Sequence, residues 1–232
     1  MSGTPYSPTQ LGVRPAPVLV QQLLIGAFGW MFAGLLLSAA IAWVVAGSFD
    51  LQRTLIPLML PLIIGQFVLA LAIQFAIRRI PATLALGMFF VFAASMGLTL
   101  GVIVSAYELP SVASAFFSAA AMFGGASIFG AVTKRELAGL GGYLRMGIIG
   151  LIVASVVNLI FPVGPLGWII SIIGVVLFTV LTAYDVQRIS RGDFAAHAGS
   201  MEKGSVLAAT NLYLDFINIF LFLLRLMGGN RN

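Results

Sequence analysis

An all-α membrane protein with seven spanning helices is the fold class this sequence predicts, and three observations predict it. Apolar runs near the roughly 20 residues needed to cross about 30 Å of hydrocarbon recur seven times. Charged residues make up only 8% of the 232 positions and hydrophobic ones 60%, whereas a soluble domain carries about 25% charge. The connections between the runs are too short to hold a soluble domain, and no internal repeat is visible.

Residues 1–17 come first, rich in Ser, Thr and Pro, with Arg14 as their one charge. They lack the periodicity to fold alone and are expected to form a flexible tail, leaving 18–232 as the membrane domain. The apolar run from Val18 to Val45 is far longer than the 7–15 residues of a signal-peptide core, so it is expected to stay as the first span. The seven spans fall at about 20–45, 55–77, 83–105, 111–132, 144–161, 167–188 and 206–227. Between them lie Gly47–Thr54, Arg78–Ala82, Ala106–Pro110, Thr133–Tyr143, Phe161–Leu166 and Ile189–Gly204.

The net charge of +5 contains no basic run of the kind that binds nucleic acid, and it is better explained by a skew across the bilayer. Arg14, Arg78, Arg79, Lys134, Arg135, Arg145, Arg188, Arg191 and Lys203 fall on one side, against Arg53, Arg225 and Arg231 on the other. The positive-inside rule therefore expects a cytoplasmic N-terminus and, after seven spans, a C-terminus outside. Pairs of small residues at helical spacing mark places of close helix approach: Gly97 with Gly101, Ala126 with Gly130, and more loosely Gly147 with Gly150.

Ionisable residues at membrane depth are costly and for that reason informative. The last span, within NLYLDFINIFLFLLRLMGG, carries Asp215. Asn211 and Asn218 stand four residues before it and three after, so the three form a polar stripe on one helical face. Asp185 lies near the end of the sixth span, about one turn before Arg188. Both spans border the Ile189–Gly204 connection, which puts both carboxylates in the cytoplasmic half. Acids on adjacent antiparallel helices can face each other, and such a pair shares a proton, because two like charges in a low-dielectric site resist ionising together. The pair is a candidate pH sensor, and when ionised its oxygens suit a hard cation such as Ca²⁺, bound weakly because two carboxylates make a poor cage. Weak binding is what permeation requires. The plain structural alternative is that Asp215 is capped by Asn211, Asn218 or an arginine, and that Asp185 pairs with Arg188 or a boundary arginine. Arg225, near the outer end of its span, is expected to snorkel, and Tyr184 and Tyr213 to serve as donors behind the acids or as interface rings.

Other chemistries lack their groups. Cysteine is absent, and the one histidine, His197, sits in a connection, so no thiolate or histidine metal or catalytic site is expected. A Schiff-base pigment needs a lysine in a span, whereas Lys134 and Lys203 lie in connections. No span pairs a serine with a base, and no phosphate-binding glycine loop occurs. No enzymatic activity and no cofactor are expected.

The stretches RRIPA at Arg78–Ala82, GLTLGVI at Gly97–Ile103, MFGGASIFGAVTKREL at Met122–Leu137, VNLIFP at Val157–Pro162, TAYDVQRI at Thr182–Ile189 and NLYLDFINIFLFLLRLMGG at Asn211–Gly229 resemble the transmembrane Bax inhibitor motif family. The resemblance covers nearly all the chain from about Gln21. It implies a seven-helix bundle with the seventh helix central, wrapped by the other six. It also implies a pH-sensitive calcium leak in which an aspartate pair matching Asp185 and Asp215 is the gate. An arginine matching Arg78 latches onto the sixth-span aspartate in one state. The resemblance further implies, as the alternative, an interaction protein that restrains a membrane-anchored AAA protease. Some leak-type members carry a glutamate in the second span, where Leu55–Ile77 offers only Gln66 and Gln74, and the family tends to have Asp where Glu136 stands. The absence of a long basic tail after Arg231 points to a bacterial plasma membrane.

Overall fold

The computed structural model describes residues 17–161 and 164–228, so the tail expected over residues 1–17 lies outside the described residues except for Pro17, as do Arg14 and Arg231. The described residues are helical throughout their ordered elements. In chain order these are α1 (Pro17–Ala46), α2 (Phe49–Leu55), a 3₁₀ turn (Ile56–Leu58), α3 (Met59–Ala76), α4 (Ala82–Val104), α5 (Leu109–Val132), a second 3₁₀ turn (Ala138–Leu140), α6 (Gly141–Ile160), α7 (Gly164–Ser190), α8 (Asp193–Ala198) and α9 (Met201–Met227). Seven helical stretches are long and apolar enough to span, from Pro17–Ala46 to Met201–Met227. Large apolar side chains on their outer faces, such as Phe75 on α3 and Leu159 on α6, are exposed where lipid tails would meet them.

Three connections differ from expectation, each for a local reason. Gly47–Thr54 is largely α2, which Ser48 starts by accepting the Leu51 amide at 3.4 Å. The second span thereby begins at Phe49. Pro57 then removes a backbone donor, and the helix tightens into the 3₁₀ turn before α3. The Ile189–Gly204 connection contains α8, set off by Gly192 and Gly199 at φ 77° and 83°, a left-handed backbone that favours glycine at both ends. Between Thr133 and Tyr143 the chain forms the second 3₁₀ turn and then the first residues of α6.

α9 is the most buried of the seven spans: 72% of its membrane-length window is buried, against 11–44% for the others. In that sense the C-terminal helix is central. The chain divides into two compact units, and α9 contributes to both. One comprises residues up to Ser105 together with Arg188–Tyr213, and the other Ala106–Gln187 together with the residues from Leu214.

In the first unit α1 and α3 pack on α4. The α1–α4 approach is close because Gly97 and Gly101 have no side chain. A Cβ at Gly97 would lie 2.8 Å from the Ser38 carbonyl oxygen, and one at Gly101 would lie 2.5 Å from Val45 Cβ. Ser38 ties the unit together. Its Oγ lies 2.7 Å from the Ala93 carbonyl, 2.9 Å from the Gly34 carbonyl and 2.7 Å from the Tyr213 hydroxyl. Phe89 and Phe92 meet the Tyr213 ring edge-on, at centroid distances of 5.7 and 5.6 Å.

In the second unit α5 packs on α7 and α9. Phe116 and Phe123 both lie 5.7 Å from the Phe216 ring, and Gly130 is pressed against Ala183 so tightly that a Cβ there would stand 2.2 Å from the Ala183 carbonyl oxygen. The looser pair expected in α6 is half used: Gly147 faces Leu177, whereas Gly150 has nothing within 4 Å. Gln187 holds the α5–α6 connection, accepting the Leu137 amide and donating to the Arg135 carbonyl, both at 2.8 Å.

Candidate functional site: a buried carboxylate cluster

Asp215 projects from α9 into the second unit at 2% exposure, and Asp185, five residues before the end of α7, is 3% exposed. The 3.6-residue period puts Thr182 and Asp185 on one face of α7, since they are three positions apart. Asp185 and Thr182 are the groups that act on the Asp215 carboxyl, the first through its charge and the second through its hydroxyl. Thr182 Oγ1 also lies 2.8 Å from the Phe178 carbonyl. One hydroxyl proton cannot serve both oxygens. With Asp215 protonated the two bonds form a chain, the carboxylic acid donating to Thr182 Oγ1 and Thr182 donating to Phe178. With Asp215 ionised, the threonine must choose. The remaining carboxyl oxygen, Asp215 Oδ2, is buried without a hydrogen-bond partner among the described residues. An ionised oxygen left so would cost several kcal/mol in an apolar surround, so ionising Asp215 calls for a compensating partner.

The residues around this cluster divide by unit. Asn211 belongs to the first unit, where its Oδ1 accepts a hydrogen bond from Gln74 Nε2. Asn218 donates to the Leu214 carbonyl at 2.7 Å, a bond within its own helix. The polar stripe thus exists along α9, but its two asparagines carry bonds of their own. Gln66, the other glutamine of the second span, is buried and donates to Thr99 Oγ1 at 2.7 Å. Tyr213 points into the first unit and bonds Ser38, while Tyr184 stands over Gly141 of α6. Arg225 is exposed, and the lack of a side chain at Gly167 makes room for its guanidinium.

Arg78 follows α3 and is held by its own unit. Its Nε donates to the His197 carbonyl at 2.6 Å, and its carbonyl accepts from Lys203 Nζ at 3.3 Å. Arg188 lies 4.0 Å from Asp193 Oδ2 with its guanidinium 4.5 Å from the Phe194 ring centre, which fastens α8 to the end of α7. Partial burial of the ring, then the positive charges of Arg78 and Arg188, hold His197 below the usual imidazole range. No group of three or more His, Asp or Glu that could hold a metal occurs among the described residues. Thr182 was not singled out by sequence reasoning, although it stands in the same TAYDVQRI stretch as Asp185, three residues away. A threonine in a helix is a common back-bonding residue, and only the fold shows which carboxylate it meets.

Seven spans with two acids buried in protein define a polytopic integral membrane protein rather than a soluble fold with an anchor. The family follows from comparison with known proteins. The model of the family described as "Inhibitor of apoptosis-promoting Bax1" matches residues 20–232, and the chain belongs to this Bax inhibitor-1 family. It is 38% identical over 218 residues to the inner membrane protein YbhL of Escherichia coli strain K12, covering 91% of this chain and 93% of the relative. It is also 38% identical to an uncharacterized protein of Borreliella burgdorferi, covering 93% of this chain and 95% of that one. One of Deinococcus radiodurans is 37% identical, with 92% of each covered. By this kinship the chain is an integral inner membrane protein.

Proposed function

We propose that the protein is a pH-sensitive leak for a hard cation, Ca²⁺ in the first place, gated by Asp185 and Asp215. The observation that carries this reading is the burial of both acids in one unit, with the charge of one acting on the other and Asp215 Oδ2 without a hydrogen-bond partner among the described residues. With one proton shared, the pair is neutralised by half and stays together; with both ionised it repels, opens and attracts a cation. Two carboxylates with neutral oxygens give affinity of the weak class, on the order of 10⁻⁴–10⁻³ M, from which an ion can leave again. Arg78 is the latch in this reading. In the described state it is engaged on the α8 carbonyl of His197, and the latched state requires it to let go. The expected orientation places the N-terminus in the cytoplasm and the C-terminus outside. The alternative, restraint of a membrane-anchored AAA protease, would use residues 1–17 and the cytoplasmic connections, and the paired acids would have no task in it.

Ca²⁺ flux into liposomes holding the purified protein, followed from pH 5 to pH 8, tests the reading. Flux that changes several-fold with pH in the wild type and loses that dependence in Asp215→Asn is the expected result. Equal, pH-independent flux in both would remove the gate.

A further inference from the structure

Two buried polar atoms lack a hydrogen-bond partner among the described residues, Asp215 Oδ2 on α9 and Ser127 Oγ on α5, and both belong to the second unit. Their neighbours locate them with respect to each other. Phe123, one turn before Ser127, meets Phe216 edge-on at 5.7 Å, and Phe216 is the residue after Asp215. Gly130, three residues after Ser127, is pressed on the carbonyl of Ala183, which follows Thr182 and precedes Asp185 by two. Phe123, Ala126, Ser127 and Gly130 share the buried face of α5. Ser127 therefore sits along that face between a contact with α9 beside Asp215 and a contact with α7 beside Thr182.

A hydroxyl and a carboxyl oxygen that are both buried, both unpaired and so bracketed are satisfied together by one small polar occupant between them. We infer that Ser127 is a third helix's contribution to the acid site: its Oγ is an oxygen ligand that, with Asp215, Asp185 and Thr182, holds the cation or its bound water. The inference rests on the leak reading and adds to it a ligand that neither acid supplies. A hydroxyl suits a hard cation, being a neutral oxygen that completes coordination without adding charge. The ionisable groups on the helices of this unit are placed as follows. α5 has no ionisable side chain, Tyr184 of α7 stands over Gly141, and on α6 Tyr143 is exposed while Arg145 Nε donates to the Gly141 carbonyl at 3.0 Å. Arg225 of α9 is exposed.

The test is infrared difference spectroscopy of the full chain in lipid bilayers, with Ca²⁺ added at a pH where the wild type shows a protonated carboxyl band. Asp215→Asn identifies the band. Ser127→Ala is expected to raise the Ca²⁺ concentration needed to remove that band, roughly 2- to 10-fold for one lost ligand hydrogen bond, and to move the band to higher frequency. Ser127→Cys, which keeps the volume with a weaker donor, moves both the same way, and Ser127→Thr restores the wild type. A Ser127→Ala or Ser127→Cys protein with unchanged band and unchanged Ca²⁺ midpoint overturns the ligand role while leaving the acid pair intact. No Ca²⁺-sensitive band that depends on Asp215 would instead overturn the leak reading and the ligand role with it.

Discussion

A serine hydroxyl has one proton, and Ser38 lies within 2.9 Å of three oxygens. It can donate to one carbonyl, of Ala93 or Gly34, while accepting from the Tyr213 hydroxyl, so the trio is satisfied only with the tyrosine as donor. This fixes what substitution does. Hydrogen bonds between membrane helices average about 0.6 kcal/mol and reach about 1.7, and a buried trio is expected at the upper end. Tyr213→Phe is expected to cost about 1–2 kcal/mol in the wild type and measurably less in Ser38→Ala, where the partner is already gone. Unfolding of the single and double variants in mixed micelles gives the coupling, and strictly additive costs would show the bond to be idle. The acids are subject to the same accounting. Thr182 has one proton to give, and Asp215 Oδ2 has no hydrogen-bond partner among the described residues. The carboxylates were legible in the sequence because charge in a span is rare. Ser127, Thr182 and Ser38 were not, because hydroxyls are common in membrane helices and only contact distinguishes the ones that matter.

Among the elements, α5 and α7 approach closely at Gly130, where a Cβ would meet the Ala183 backbone. Gly130→Ala drives a methyl group at the Ala183 carbonyl, a backbone atom that cannot swing aside, and should cost about 1–3 kcal/mol. Gly150→Ala, with nothing within 4 Å, should stay within about 0.5 kcal/mol of the wild type. Thermal midpoints of the two variants side by side check this, and equal loss in both would mean the α5–α7 contact is softer than it looks. The small-residue spacing announced Gly97, Gly101 and Gly130 correctly, and overreached at Gly150, because spacing shows which residues could meet a neighbour and not which face the neighbour occupies. α8 escaped notice altogether. Six residues between two glycines carry too short a pattern to separate from a loop, and the bond from Arg78 Nε to the His197 carbonyl that fastens it joins residues 119 positions apart.

That fastening has a pH dependence. Since His197 is held below 6.5 in the folded chain, the unfolded segment binds the proton more readily. The α8 docking is therefore at full strength above pH 6.5 and weakens as pH falls below it. His197 is exposed, so the charge part of the effect should shrink at high salt. Amide exchange in α8, corrected for intrinsic rates, is expected to speed up on acidification in the wild type and to stay flat in His197→Gln. Protection that increases on acidification would contradict it.

At the scale of the whole molecule the sequence carried most of the fold. Seven apolar runs with almost no internal charge leave few alternatives once the backbone must satisfy its own hydrogen bonds in lipid, and the seven spans overlie the runs, with the second, fifth and seventh beginning earlier, at Phe49, Ala138 and Met201. The burial of α9 was foreshadowed by its polar stripe, which has no place against lipid. What the runs do not contain is the division into two units, with Asn211 and Tyr213 serving one and Asp215 and Asn218 the other. That depends on which side of α9 each neighbour covers, and hydrophobicity alone does not encode it.

The central claim is that Asp185 and Asp215 act as one titrating site. Proton uptake by the bilayer-embedded protein, measured across pH for the wild type, Asp185→Asn, Asp215→Asn and the double variant, tests it most directly. A shared proton predicts strong non-additivity: removing either acid changes the pH at which the other takes up its proton, now in a single step, and the double variant loses that step as well. Two independent steps, each vanishing with its own aspartate and leaving the other unmoved, would contradict it.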